Sequence, residues 1–373
     1  MRIVTGIEQG RALLNRTVYQ ELKTPEGVLQ RIAEIFGERI TPEIAVQRII
    51  GDIRQHGDKS VRDYTYRIDG IQLERIEIPY GQIAAAVELI PNEIADALKA
   101  ASMRIRAFAQ ASMPQNWSDD YLGVGERIVP LQSVGLYIPG GTATYPSTVL
   151  MNAITAKEAG VSEVVLCTPA PSPVVLSAAY IAGVDKVFCI GGAQAIAAMA
   201  YGTDTVPNVH KICGPGNIFV SIAKKLVYGL VDIDGMYGPT ETMVVADDSA
   251  NPVLCAADLL AQAEHDSMAS PILVTTSKAI ADMTINELQS QLLNLSRGNI
   301  ASEAIANQGL AVIVDSLQDA FDLVNAYAPE HVCLLIKDPQ SCIDKIRNAG
   351  AVFLGEYSPE VIGDYVAGPS HTM

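Results

Sequence analysis

EVVLCTPAPSPVVLSAAYIAGVDKVFCI, residues 163–190, reads as strand, helix and strand in succession. Residues 163–167 and 186–190 are short runs of valine, leucine, isoleucine, phenylalanine and cysteine bounded by turn formers, the pattern of strands buried on both faces. Between them Ser172 suits a helix cap, Pro173 the first turn, and Gly183 the left-handed residue after the last turn. A strand, a crossover helix and a second strand imply a parallel sheet with helices on both faces.

The same alternation extends outward. Residues 134–138 and 210–213 add strands to this series, which runs to about Tyr237. A second series follows at 242–246, 271–275, 310–314, 332–336 and 351–354. The N-terminal third is helical in pattern. Residues 1–23 read as a helical arm with Ile7, Leu13 and Leu14 as its apolar points. A new helix starts at Thr41-Pro42, and Ile94, Leu98, Ala101, Ile105 and Phe108 form one stripe between Pro91 and Ser112. The second strand series needs helices on both faces, and the early helices are surplus to the first. The sequence therefore predicts an α/β protein of two domains with parallel sheets: 24–133 with 241–373 as one, and 134–240 inserted as the other.

The 373 residues suffice for two or three domains with real cores. The hydrophobic share of 49% against 18% charged residues places the chain among globular proteins, not disordered ones. A formal charge of -16 without a clustered basic footprint argues against nucleic acid or anionic membrane as partners. The six cysteines have no CxxC spacing and sit mostly in apolar runs, which predicts reduced thiols and a cytoplasmic location. The first residues lack the apolar core of a signal peptide, and no apolar run reaches membrane-spanning length. The chain stops at Pro369-Ser370-His371-Thr372-Met373 without a closing helix or strand, so further sequence is expected beyond it.

Several short stretches hold chemistry-bearing residues. Glycine-rich turns close three predicted strands: residues 137–141, Gly191-Gly192-Ala193-Gln194, and Cys213-Gly214-Pro215-Gly216-Asn217. In parallel sheets such turns expose helix N-terminal amides to phosphate groups, although neither GxGxxG nor GxxxxGK[ST] occurs and plain tight turns remain the alternative. Gln262 and His265 stand three apart at the end of a helical run from Pro252, so they can aim two neutral donors at one point. This is half of a metal shell, or else a helix-end histidine capping carbonyls. Asp364, in a loop with His371, is a candidate for the missing oxygen donor. Thr240-Glu241 crowds polar groups beside Gly238-Pro239 ahead of a strand. Glu330-His331 places two bases of different strength at a strand entrance, where a turn after Pro329 would aim both into one cleft; a solvated Glu and an edge His are the alternative. His56 and His210 lie outside these clusters.

Five stretches, taken in order, resemble the histidinol dehydrogenase family: Cys213-Gly-Pro-Gly-Asn217, Gly238-Pro-Thr-Glu241, Ala261-Gln-Ala-Glu-His265, Ala328-Pro-Glu-His331, and Gly363 to His371. The resemblance runs from Met1 onward. It implies two incomplete Rossmann-like domains, one inserted in the other, and NAD-dependent oxidation of L-histidinol to L-histidine through bound L-histidinaldehyde. It further implies zinc on Gln262, His265 and Asp364, and Glu330 and His331 as the acid–base pair. Substrate contact then falls to Thr240, Gln262, His265, Glu330, His331, Asp364 and His371, and NAD contact to Tyr137, Gln194 and Asn217. A homodimer is implied as well. Two departures stand out. Thr240 replaces the family's usual serine and keeps the hydroxyl in a tighter pocket. Family chains also continue past the position of Met373 with a segment that wraps the dimer partner and supplies a glutamate and the fourth zinc ligand, a histidine; neither is in this sequence. A dehydrogenase of another small alcohol, such as a sulfonated diol, or a non-catalytic metal-binding relative would share many of these motifs.

Overall fold

The computed structural model describes residues 1–14, 24–140 and 144–372. The chain divides into two compact units, one comprising Met1–Leu22 and Gly238–Gly363, the other Lys23–Tyr237 and Asp364–Met373.

In the larger unit a six-stranded sheet has the order Glu77–Ile78, Lys186–Phe188, Glu163–Cys167, Ser133–Tyr137, Lys211–Cys213, Asp232–Ile233. All neighbours are parallel except the edge strand Glu77–Ile78. The helix between the two strands that open the sequence analysis runs Pro173–Ala182; Ser172 accepts from the Val175 amide, and Gly183 takes φ 75°. Alternate strand residues enter two different cores. Val165, Cys167, Phe188 and Ile212 pack with helices Pro42–His56, Gly192–Tyr201 and Ile218–Val227. Leu136, Val164, Leu166 and Val187 pack with helices Asn92–Ala111, Pro146–Glu158 and Pro173–Ala182. Both faces being covered explains why these strands are apolar beyond their first residue.

The early helices thus correct the expected domain division. Ile49 and Ile53 share a core with Phe188, and Leu98 and Ile105 share one with Leu136. Residues 24–133 complete the cover of the 133–233 sheet. Residues 364–372 join this unit too, where Asn152 Nδ2 donates to Thr372 Oγ1 at 3.0 Å.

The smaller unit carries a wholly parallel sheet in the order Arg2–Thr5, Leu310–Ile313, Ser270–Thr275, Glu241–Ala246, His331–Leu335, Ala351–Leu354. Its helices come from its own sequence. Pro252–Ala263, Lys278–Leu292 and Gly298–Asn307 cover one face, and Leu317–Tyr327 covers the other with Ile7 and Leu14. Residues 2–5 are an edge strand paired with Leu310–Ile313, followed by the short helix Ile7–Leu13; the expected arm was helical throughout, and its remainder, 15–23, lies outside the described residues. Four residues are too few for a strand period to show in sequence. Chain order across this sheet reverses between Glu241–Ala246 and His331–Leu335, and the catalytic candidates of this unit gather beside that reversal.

Candidate active site

Helix Leu317–Tyr327 ends at Ala328, whose φ of 53° and ψ of 62° place a non-glycine residue in the left-handed region. That conformation costs roughly 1–2 kcal/mol and turns the chain sharply before Pro329. The turn delivers Glu330 and His331 to the amino end of their strand. Glu330 is half-buried, and its Oε2 accepts from the Glu241 amide at 3.3 Å. His331 pairs in register with Thr242 on one side and Ala351 on the other, and it is buried.

The closest charged group to His331 is not Glu330. Glu330 Oε2 lies 3.9 Å from His331 Nδ1, whereas Glu360 Oε1 lies 2.5 Å from it. Glu360 opens helix Glu360–Tyr365 and is fully buried; its Oε2 accepts from the Thr242 hydroxyl at 3.0 Å. The Phe353 ring packs 5.8 Å from the imidazole. Beneath this pair, Asp258 of helix Pro252–Ala263 accepts from the Cys333 thiol and from the Glu360 amide, and burial pushes its carboxyl up to about 6. Burial, then the charges of Glu360 and Asp258, holds the Cys333 thiol well above its ordinary value. Sequence reasoning passed over Glu360, because an acid in the first turn of a helix reads as ordinary complement to the helix dipole.

Gln262 lies in the last turn of helix Pro252–Ala263, buried, while His265 is exposed just past it, its amide donating to the Gln262 carbonyl at 3.1 Å. A helix C-terminus carries partial negative charge and favours a cation. Thr240 is half-buried, and its carbonyl accepts from the Ser270 amide at 2.9 Å. The expected metal set divides between the units, since Asp364 belongs with the larger one. Among the described residues no three His, Cys, Asp or Glu side chains gather as a metal site. The expected set has only two residues of those types, His265 and Asp364. His371, also in the larger unit, donates from Nδ1 to the Asp364 carbonyl at 2.9 Å, which leaves Nε2 to accept from the Thr148 hydroxyl at 2.9 Å.

In the larger unit the chain order reverses between Ser133–Tyr137 and Lys211–Cys213, where ligands of open α/β sheets settle at the carboxyl ends. Gly214, at φ 121°, lies so close that an added Cβ would stand 2.0 Å from the Tyr137 carbonyl oxygen. Its amide donates to Asp234 Oδ2 at 2.6 Å, and its carbonyl accepts from the buried Lys224 at 3.0 Å. Lys224 also pairs with Asp234, so one ion pair clamps both polar groups of the turn. Asn217 spends its Oδ1 capping the Phe219 and Val220 amides. Tyr137, its phenol pushed up to about 12 by burial, accepts from the Gly192 amide at 3.1 Å. Helix Gly192–Tyr201 begins there without a side-chain cap, which suits an anionic group. Gln194 is wholly buried; its Nε2 donates to Asp69 at 3.4 Å, and its Oε1 has no partner among the described residues. Tyr137, Gln194 and Asn217 thus belong to the turns at these strand ends, and the buried Gln194 amide oxygen among them is unpaired within the described residues. Gly141 lies outside the described residues.

A family model described as histidinol dehydrogenase matches residues 38–373. Histidinol dehydrogenases of Dehalococcoides mccartyi and Deinococcus radiodurans are each 46% identical to this chain, over 100% of it and 86% of their own length. A crystal structure of histidinol dehydrogenase from Elizabethkingia anophelis superposes with a TM-score of 0.90 at 35% identity, covering 100% of this chain and 84% of that one.

Proposed function

Because this chain belongs to the histidinol dehydrogenase family, NAD-dependent oxidoreductases of histidine biosynthesis, we propose that it oxidises L-histidinol to L-histidine through bound L-histidinaldehyde. The observation that carries this reading is Glu330 and His331 side by side at the head of one strand, with His331 buried and a carboxylate oxygen of Glu360 2.5 Å from its Nδ1. Such a pair supplies two bases for two successive oxidations.

His331 takes the hydroxyl proton of the alcohol through Nε2 as the carbinol carbon gives up hydride. In the second half-reaction Glu330, the more exposed of the two, removes a proton from the water that attacks the aldehyde carbon, and His331 accepts a proton again. Zinc on Gln262, His265 and Asp364 would hold the substrate's nitrogens, and NAD beside the Tyr137, Gln194 and Asn217 turns would accept the hydrides. Retention of the aldehyde between the steps prevents loss of a reactive intermediate. Thr240 and His371 are assigned to substrate contact by the motif match. The six cysteines, none in a disulfide, fit a reducing cytoplasmic setting; no helix among the described residues is long and apolar enough to cross a membrane. A homodimer is proposed on the same family grounds.

Steady-state NADH formation tests this. His331→Asn should abolish oxidation of histidinol, and Glu330→Gln should slow histidinal oxidation about 100-fold or more. Wild-type turnover in the first variant would remove His331 from the base role. An unchanged histidinal rate in the second would do the same for Glu330.

A further inference from the structure

The strongest unassigned feature is the buried cluster around the imidazole. His331 is faced by Glu330 from its own strand, the Thr242 hydroxyl from the neighbouring strand, the Phe353 ring, and Glu360 from the helix that follows; Cys333 and Asp258 lie one layer deeper. Of the two glutamates, Glu360 stands 2.5 Å from Nδ1 and Glu330 3.9 Å. At 2.5 Å Nδ1 and Oε1 of Glu360 are in ion-pair contact without the ring N–H being aligned on the carboxylate as a formed hydrogen bond; two lone pairs at that separation repel, so the contact favours a hydrogen on Nδ1.

We propose that Glu360 is the positioning residue of the active-site base: its buried carboxylate takes the Nδ1 hydrogen of His331, fixing the tautomer that presents Nε2 as the basic nitrogen. This rests on the reading of His331 as the base. Three features of the cluster support it. Glu360 is fully buried, so its orientation is set by the fold and not by solvent. Thr242 donates to its second oxygen, which aims the first at the ring. Asp258 accepts from the Glu360 amide, which fixes the helix start that carries it. A carboxylate so placed also stabilises the imidazolium that forms when Nε2 takes a proton, as second-layer carboxylates do for other oriented histidines. Glu330, in contrast, is bound to the Glu241 amide and half-buried, and so remains available to water.

Glu360→Gln keeps the shape and removes the charge. It should lower kcat for histidinol about 10- to 100-fold with KM little changed. It should also move the acid limb of the kcat/KM profile to lower pH, because an imidazolium without its carboxylate loses its proton more readily. Nitrogen-15 NMR of histidine-labelled protein reads the tautomer without catalysis. One low-field ring N–H resonance is expected in the wild type, absent in His331→Asn and displaced in Glu360→Gln. If His331→Asn is inactive while Glu360→Gln keeps wild-type kcat and an unshifted acid limb, the positioning role is overturned and the base reading stands. If His331→Asn turns over normally, the base reading itself fails. Should Glu360→Gln not fold, a wild-type His331 ring protonated on Nε2 instead of Nδ1 overturns the proposal.

Discussion

Replacing Asp258 with asparagine should change how stability depends on pH more than it changes stability at any one pH. Asp258 is 5% exposed. Burial raises its carboxyl from the ordinary 3.8 to about 6 against the opposing hydrogen bonds of Cys333 and the Glu360 amide. A shift of about two units corresponds to roughly 3 kcal/mol between the protonation states. The folded protein holds this proton more tightly than the unfolded chain does. Its contribution to stability is therefore complete below about 3.8 and is lost as pH rises through about 6. Asparagine does not titrate. Urea unfolding of wild type and Asp258→Asn at matched pH values should show the difference, wild type minus variant, falling by about 2–3 kcal/mol from pH 4 to pH 8. Asp58, Asp232 and Asp247, whose carboxyls are held below the ordinary value by hydrogen bonds and nearby cations, run the opposite way but are common to both proteins and cancel. A difference that stays constant across this range would show that Asp258 is not buried against its charge, and the layered polar cluster under His331 would need another account.

Lys224→Met leaves the half-buried Asp234, which still accepts from the Gly214 and Gly235 amides, without its cation, and should cost about 2–3 kcal/mol by urea unfolding; adding Asp234→Asn should recover most of it. A double variant no more stable than Lys224→Met alone would dismiss the pair as the clamp. Gly214→Ala sets a Cβ 2.0 Å from the Tyr137 oxygen at a φ of 121°, so at least about 2 kcal/mol of stability should be lost, together with NAD affinity measured by fluorescence titration. Unaltered NAD affinity would place the nucleotide elsewhere. Ala328→Gly relieves the left-handed strain at φ 53° and should not destabilise the fold, yet should lower kcat by loosening Glu330 and His331; unchanged kcat would show the turn is passive.

What the sequence made legible follows the range of the forces involved. All nine expected strands formed, most within a residue or two of the expected ends, because a strand buried on both faces writes itself as an unbroken apolar run. Arg2–Thr5, Glu77–Ile78, Asp232–Ile233 and the paired strands Trp117–Asp119 and Val124–Glu126 escaped; runs of two to four residues carry no period. Helix existence was legible as well: Thr41 caps Pro42–His56, and the stripe from Ile94 to Phe108, expected to be buried throughout, falls inside Asn92–Ala111, where Leu98 and Ile105 enter the core but Ile94 and Phe108 are exposed. The sheet on which each helix lands was not legible. An apolar stripe states that one face is buried and says nothing of what buries it, so 24–133 was assigned to the wrong sheet.

The site shows the same divide in sharper form. Glu330-His331 was visible because two chemically matched residues are adjacent in the chain. Glu360 was not, because its partnership with His331 comes from the sheet: His331 registers beside Ala351, and the chain leaving Leu354 turns back through the Glu360–Tyr365 helix to place a carboxylate against the ring. The hydroxyl that aims this carboxylate is equally remote, on Thr242 in the neighbouring strand. A dipeptide can name the base, but the parallel register chooses which carboxylate orients it. On the proposed reading it gives that task to the buried Glu360 and leaves the half-exposed Glu330 for water.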